Sequence, residues 1–138
     1  MEIKLNEENA NEAVVELLRN GLDLFNNRKM DKAFEIFDSA IRMDPNCAEA
    51  HVVKGEALMG MFELEEAEEC IRTYLMLNPG SSRAYMDLMD IYCEFGDFNN
   101  SLIYCNKLLE TDGEDAFLFK RKAYFLSWLD EFDEALEF

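Results

Sequence analysis

The stretch that decides the fold is Ala33–Pro45, AFEIFDSAIRMDP, because a phrase of the same build returns at Ala67–Pro79 as AEECIRTYLMLNP. Pro45 and Pro79 stand 34 residues apart, and one more step lands on Gly113, another residue that ends a helix. Working outward, other positions keep the step. Gly21 leads to Gly55, Met89 and Ala123; Leu24 to Leu58, Tyr92 and Leu126; Ala33 to Ala67, Ser101 and Ala135. Met30 leads to Leu64, Phe98 and Phe132, and Phe37 to Ile71 and Cys105. Each series has a packing reason: small residues where two helices approach closely, large apolar ones where a gap is filled, and a breaker where a pair ends. The period predicts helix pairs at about 14–27 with 30–43, 48–61 with 64–77, 82–95 with 98–111, and 116–129 with 132–138. Ser81 or Ser82 and Asp115 are the expected N-caps of the third and fourth first helices, since their side-chain oxygens can accept from unpaired backbone N–H groups.

Taken together these positions resemble the tetratricopeptide repeat, whose pattern sets an aromatic, Leu-Gly, Tyr, Ala, Phe and finally Pro along two antiparallel helices. The resemblance runs from Val14 to Phe138. It departs from the pattern where Asn20, Lys54 and Lys122 replace the Leu before the small residue, where His51 replaces an aromatic, and where Gly113 replaces Pro. The resemblance implies an all-α, right-handed superhelical solenoid of antiparallel helix pairs, with three full repeats and a partial fourth. The expected organisation is an N-terminal arm over 1–13 and repeats at about 14–47, 48–81, 82–115 and 116–138. The pattern stops in mid-repeat, which reads as a piece of a longer chain or an end covered by another chain.

Composition agrees with helix: two prolines, six glycines, and 49% hydrophobic residues for a core. Thirteen Lys and Arg against thirty Asp and Glu leave a formal charge of -17, a field that repels phosphate backbones and anionic membranes. Nucleic acid and membrane are therefore not expected partners, whereas basic peptides would be attracted. The acidic N-terminus lacks the basic and apolar regions of a secretory signal, and Cys47, Cys70, Cys93 and Cys105 are scattered singly. A cytoplasmic location with reduced thiols is the expectation.

Catalysis needs a nucleophile, acid or base held in a pocket, and the chain offers one histidine and none of the nucleophile-elbow, phosphate-loop or dinucleotide signatures. It reads as a non-enzyme without cofactor. Cys47 and His51, four residues apart, supply two ligands and no closed metal site. Glu63, Glu65, Glu66, Glu68 and Glu69 read as a solvated outer face.

The resemblance further implies that the first helix of each pair lines a concave face, at roughly its second, fifth, ninth and twelfth positions. These are Val15, Leu18, Leu22 and Phe25; Glu49, Val52, Glu56 and Met59; Arg83, Met86, Asp90 and Cys93; and Phe117, Lys120, Tyr124 and Ser127. The subclass that clamps a terminal carboxylate needs Lys, Asn and Arg where this chain has Leu18, Leu22, Val52, Glu56, Met86 and Asp90. The clamp is thus missing, and an apolar floor with acidic groups remains. The expected partner is a peptide or helix with apolar anchors and Lys or Arg. Its contacts are Val15, Leu18, Leu22, Phe25, Val52, Met59 and Met86, with Glu49, Glu56 and Asp90 selecting charge and Lys120 and Tyr124 beside them.

The first helix is apolar on both faces, and burying Val15, Leu18, Leu22 and Phe25 is worth roughly 1.5 to 3 kcal/mol each. A cover is expected: a client peptide, a second copy, or the arm itself, with Met1, Ile3 and Leu5 alternating in an extended strand. The alternatives are a self-association module, pairing through the aromatic-rich terminal repeat, and a repeat region of a longer enzyme or signalling protein.

Overall fold

The structure, a computed structural model, describes residues 2–7, 11–112 and 115–136, the side chains of Asp112 and 131–136 excepted. The described residues form seven α-helices and no strand: α1 (Glu12–Asn26), α2 (Met30–Met43), α3 (Ala48–Gly60), α4 (Leu64–Leu77), α5 (Ser82–Phe95), α6 (Phe98–Asp112) and α7 (Ala116–Leu136). The first six begin and end within two residues of the positions that the 34-residue step predicts. No helix among the described residues is long and apolar enough to cross a membrane. Met1, Gly113 and Phe138, which figured in the sequence reading, lie outside the described residues, as do the side chains of Phe132 and Ala135.

The chain divides into two compact units, Met1–Pro79 and Gly80–Phe138. In the first, α1 packs on α2 and α3 on α4, while α3 also rests on α2 and α1. The small position of each first helix explains the close approach. A Cβ on Gly21 would stand 2.5 Å from Phe37 Cε1, and one on Gly55 would stand 2.7 Å from Ile71 Cδ1. Phe37 and Ile71 are fully buried, so neither ring nor methyl can yield cheaply. Ala33, Ala40, Ala50, Ala57 and Ala67 are also fully buried, which shows how much of this unit depends on small side chains between helices.

In the second unit α6 packs against both α5 and α7. Met89 occupies the small position here, and its counterpart on the second helix shrinks from Phe or Ile to Cys105; both are fully buried in one cluster with Phe98, Leu108, Leu118 and Phe125. Volume lost on one helix is thus restored on the other. Phe98 stacks on Trp128 at 5.5 Å and on Phe125 at 6.1 Å between ring centroids.

The reversal inside each pair is a repeated backbone device. Arg28, Phe62 and Gly96, spaced by the same step, have φ of 64°, 62° and 76°. Past each, the N–H of Lys29, Glu63 and Asp97 donates to the carbonyl of Leu24, Leu58 and Tyr92 at 2.8–2.9 Å, closing a left-handed helix cap that satisfies carbonyls left without a partner. The next step falls on Asp130, and there the device does not form. The expected pair 116–129 and 132–138 is instead the single helix α7, which continues to Leu136. No glycine or proline interrupts Trp128–Leu136, and the helix runs on through residues that all tolerate it.

Candidate functional site

Asn11 caps α1 by accepting from the Ala13 N–H at 2.9 Å, which fixes where the helix starts. Before that cap, residues 2–7 carry no regular secondary structure, and burial alternates along them: Ile3 and Leu5 are half-buried, and Glu2, Lys4 and Asn6 exposed. A period of two is what an extended strand presents when one edge faces a surface. Ile3 and Leu5 share a cleft of about 360 Å³ with Leu22, Asp23 and Asn26 of α1. At the arm's far end Arg19 Nε donates to Glu7 Oε1 at 2.8 Å. Between these points the Asn6 backbone N–H donates to Glu49 Oε1 at 2.8 Å, so α3 grips the main chain of the arm. Asn6 and Glu49 also flank a second cleft, of about 280 Å³, with Asn46, Tyr74 and Asn78.

The concave-face residues read from the sequence meet different fates. In the first unit Val15, Leu18 and Val52 are buried, and so are the carboxylates Glu49 and Glu56, each less than a tenth exposed. Leu22, Phe25 and Met59 are half-buried. In the second unit Met86 is half-buried beside the Met89 cluster, while Lys120 and Tyr124 are exposed. Each of the acidic groups Glu49, Glu56 and Asp90 interacts within the chain. Glu49 is engaged by the arm, and Asp90 accepts from Arg121 Nη2 at 3.2 Å. Burial pushes the Asp90 carboxyl above its ordinary range, the Arg121 charge pulls against that, and Glu94 adds to the rise. Arg121 also lies over the Phe125 ring, 5.1 Å from its centroid.

Arg19 and Arg121 were missed by a reading confined to the second, fifth, ninth and twelfth positions. Both hold the sixth position of their first helix, three 34-residue steps apart, and both meet a carboxylate. The signal was present as a basic residue one place beyond the fifth position.

Of the other polar groups, His51 Nε2 donates to the Pro45 carbonyl at 2.8 Å and ties α3 to the preceding turn. Lys54 meets Asp38 at 2.7 Å. Burial alone would lower the Lys54 pKa, but the hydrogen bond and charge of Asp38 prevail and raise it. Burial pushes the Cys70 and Cys105 thiols up, away from reactive thiolate.

Antiparallel helix pairs repeated at a fixed step, with an extended segment seated on a first helix, define a helical-repeat protein. The tetratricopeptide repeat family model matches residues 24–86, and the chain carries tetratricopeptide repeats there. Two curated relatives in Oryza sativa subsp. japonica are similar to it. DnaJ protein P58IPK homolog A is 30% identical over 122 residues, 78% of this chain and 26% of its own; homolog B is 29% identical over 105 residues, 67% and 22%. The chain therefore spans about a quarter of the length of the curated relatives it matches. Among solved structures, the Sgt2 TPR domain from Aspergillus fumigatus superposes with a TM-score of 0.75 at 14% identity, over 95% of this chain and 88% of that one. The first TPR of Spaghetti (RPAP3), bound to the HSP90 peptide SRMEEVD, gives 0.73 at 15%, over 85% and 95%. These likenesses show the fold.

Proposed function

We propose that the chain is a protein-interaction scaffold without catalytic chemistry, working in the reducing cytoplasm, whose first unit binds peptides through the first-helix face. The observation that carries this reading is the seated arm: α1 and α3 hold an extended segment by apolar side chains, one ion pair and one main-chain hydrogen bond. The contacts available to a partner are the half-buried Leu22, Phe25 and Met59, with Val15, Leu18 and Val52 as the floor beneath them. Asp90 is already paired with Arg121, so apolar side chains carry most of the affinity, and the overall charge of -17 favours basic flanks at longer range. The related Spaghetti repeat holds an HSP90 peptide. The Lys, Asn and Arg of a carboxylate clamp are absent at Leu18, Leu22, Val52, Glu56, Met86 and Asp90, and a terminal carboxylate is not the proposed anchor.

A peptide-display selection against the full chain tests the reading. Enriched peptides should carry spaced apolar residues and lose binding to a Leu22→Asp plus Phe25→Asp variant that keeps its helical circular dichroism. Enrichment indifferent to both substitutions would overturn the assignment of this face.

A second reading rests on α7, where Phe117, Phe119, Tyr124, Leu126 and Trp128 are 39% to 53% exposed. Apolar surface of this kind marks a contact, either between copies or with further chain in a protein as long as the relatives. Light scattering separates the two, since a strict monomer at tens of micromolar removes self-association.

A further inference from the structure

The arm specifies what the site takes. Six residues, EIKLNE at Glu2–Glu7, meet the first unit at three kinds of contact in a fixed order. Two apolar side chains separated by one residue enter the cleft beside Leu22; the next backbone N–H reaches Glu49; the next side chain, a carboxylate, reaches Arg19. We infer that the first unit recognises, in other proteins, an extended segment with two apolar residues separated by one residue and an acidic residue two places after the second, and that the chain's own arm is the resident competitor for that site. This rests on the scaffold reading and deepens it by naming the ligand.

Each element of the pattern has a separate physical warrant. Alternation is required because successive side chains of an extended chain point to opposite sides, so only every second residue can enter the cleft. A backbone N–H after the second apolar residue is favoured because proline there would remove one of the bonds that the buried Glu49 carboxylate accepts. The acidic group follows from Arg19, a cation on an otherwise acidic protein. It reverses the expectation of a basic ligand at this one point. Arg19 and Glu7 are both well exposed, and their pair contributes direction more than affinity. A tethered arm acts at an effective concentration on the order of millimolar, which weakens a free peptide of modest affinity by about tenfold.

The probe is a fluorescent synthetic peptide of residues 1–8, MEIKLNEE, titrated by anisotropy into two full-length proteins. One is the unaltered chain and the other carries Ile3→Asp plus Leu5→Asp, which releases the arm without touching a helix. The peptide should bind the released-arm variant about tenfold more tightly than the unaltered chain. Adding Leu22→Asp to that variant should abolish binding, and a peptide with Glu7→Lys should bind more weakly. Equal binding to both proteins, or to neither, overturns the inference. If display-selected peptides still bind through Leu22 and Phe25 while MEIKLNEE does not, the inference falls and the scaffold reading stands; if no peptide binds, both fall. A dimer of the unaltered chain that becomes a monomer on Ile3→Asp plus Leu5→Asp would place the arm on a second copy and overturn the resident-competitor assignment.

Discussion

Gly21→Ala adds one methyl group to the tightest contact in the first unit, and its cost can be worked from the geometry. The new Cβ would stand 2.5 Å from Phe37 Cε1 and 2.7 Å from Cδ1, where ordinary contact begins near 3.4 Å, so the ring must retreat by almost an ångström. Phe37 is fully buried and packed edge-on by Phe34 at 5.7 Å, which blocks an easy retreat. Overpacking of this kind costs about 1 to 3 kcal/mol. Replacing a mid-helix glycine by alanine returns about 1 kcal/mol of helix propensity. The expected net loss is about 1 kcal/mol, a fall of about 0.5 M in the urea midpoint. Far-ultraviolet circular dichroism reports both units, whereas fluorescence of Trp128, the single tryptophan, reports the second; the loss should appear in the first signal. Adding Phe37→Leu should relieve the clash, so that the double variant loses less than the sum of the two singles by about 1 kcal/mol. A Gly21→Ala protein as stable as the parent, or more stable, would refute the close-approach account of the repeat.

Gly96→Ala should also destabilise, by about 1 to 2 kcal/mol, but for another reason: nothing lies within 4 Å of its Cβ site, and the cost is the φ of 76°. Urea midpoints read by Trp128 fluorescence check it, and Gly96→Asn should lose less than Gly96→Ala. The Lys54–Asp38 pair predicts an alkaline effect. A lysine pKa raised in the folded state means that its contribution is fully present below the ordinary value of 10.5 and lost as pH rises through the raised value. Thermal melts of the parent and Asp38→Asn should differ by no more than about 1 kcal/mol at neutral pH, with the gap closing above pH 10.5; a gap that persists there would contradict the assignment.

The fold was legible because helix packing leaves a one-dimensional record. Gly21 and Gly55 mark close approach, Pro45 and Pro79 mark stops, and six helices follow from their spacing. The unbroken α7 was not legible, because Asp130 accepts a helical or a left-handed backbone and the pattern names the position without its conformation. Part of the arm's seat was legible too: the alternation of Ile3 and Leu5 was visible, and Leu22 lines the cleft that they share. The engaged states of Glu49 and Asp90 were not. Each depends on a partner distant in sequence, Asn6 for one and Arg121 for the other, and charge counting cannot tell a carboxylate awaiting a ligand from one already bonded.

The left-handed caps at Arg28, Phe62 and Gly96 have a further consequence. The reversal is closed by main-chain bonds alone, so the side chain at its tip owes nothing to the core; Arg28 is exposed and Phe62 is 67% exposed. The tips at Arg28 and Phe62 are mounting points whose address along the chain is set by the repeat and whose side chains stand clear of the core. A spectroscopic label placed at 28 or 62 would therefore sit on a fixed backbone without altering the face that holds the arm.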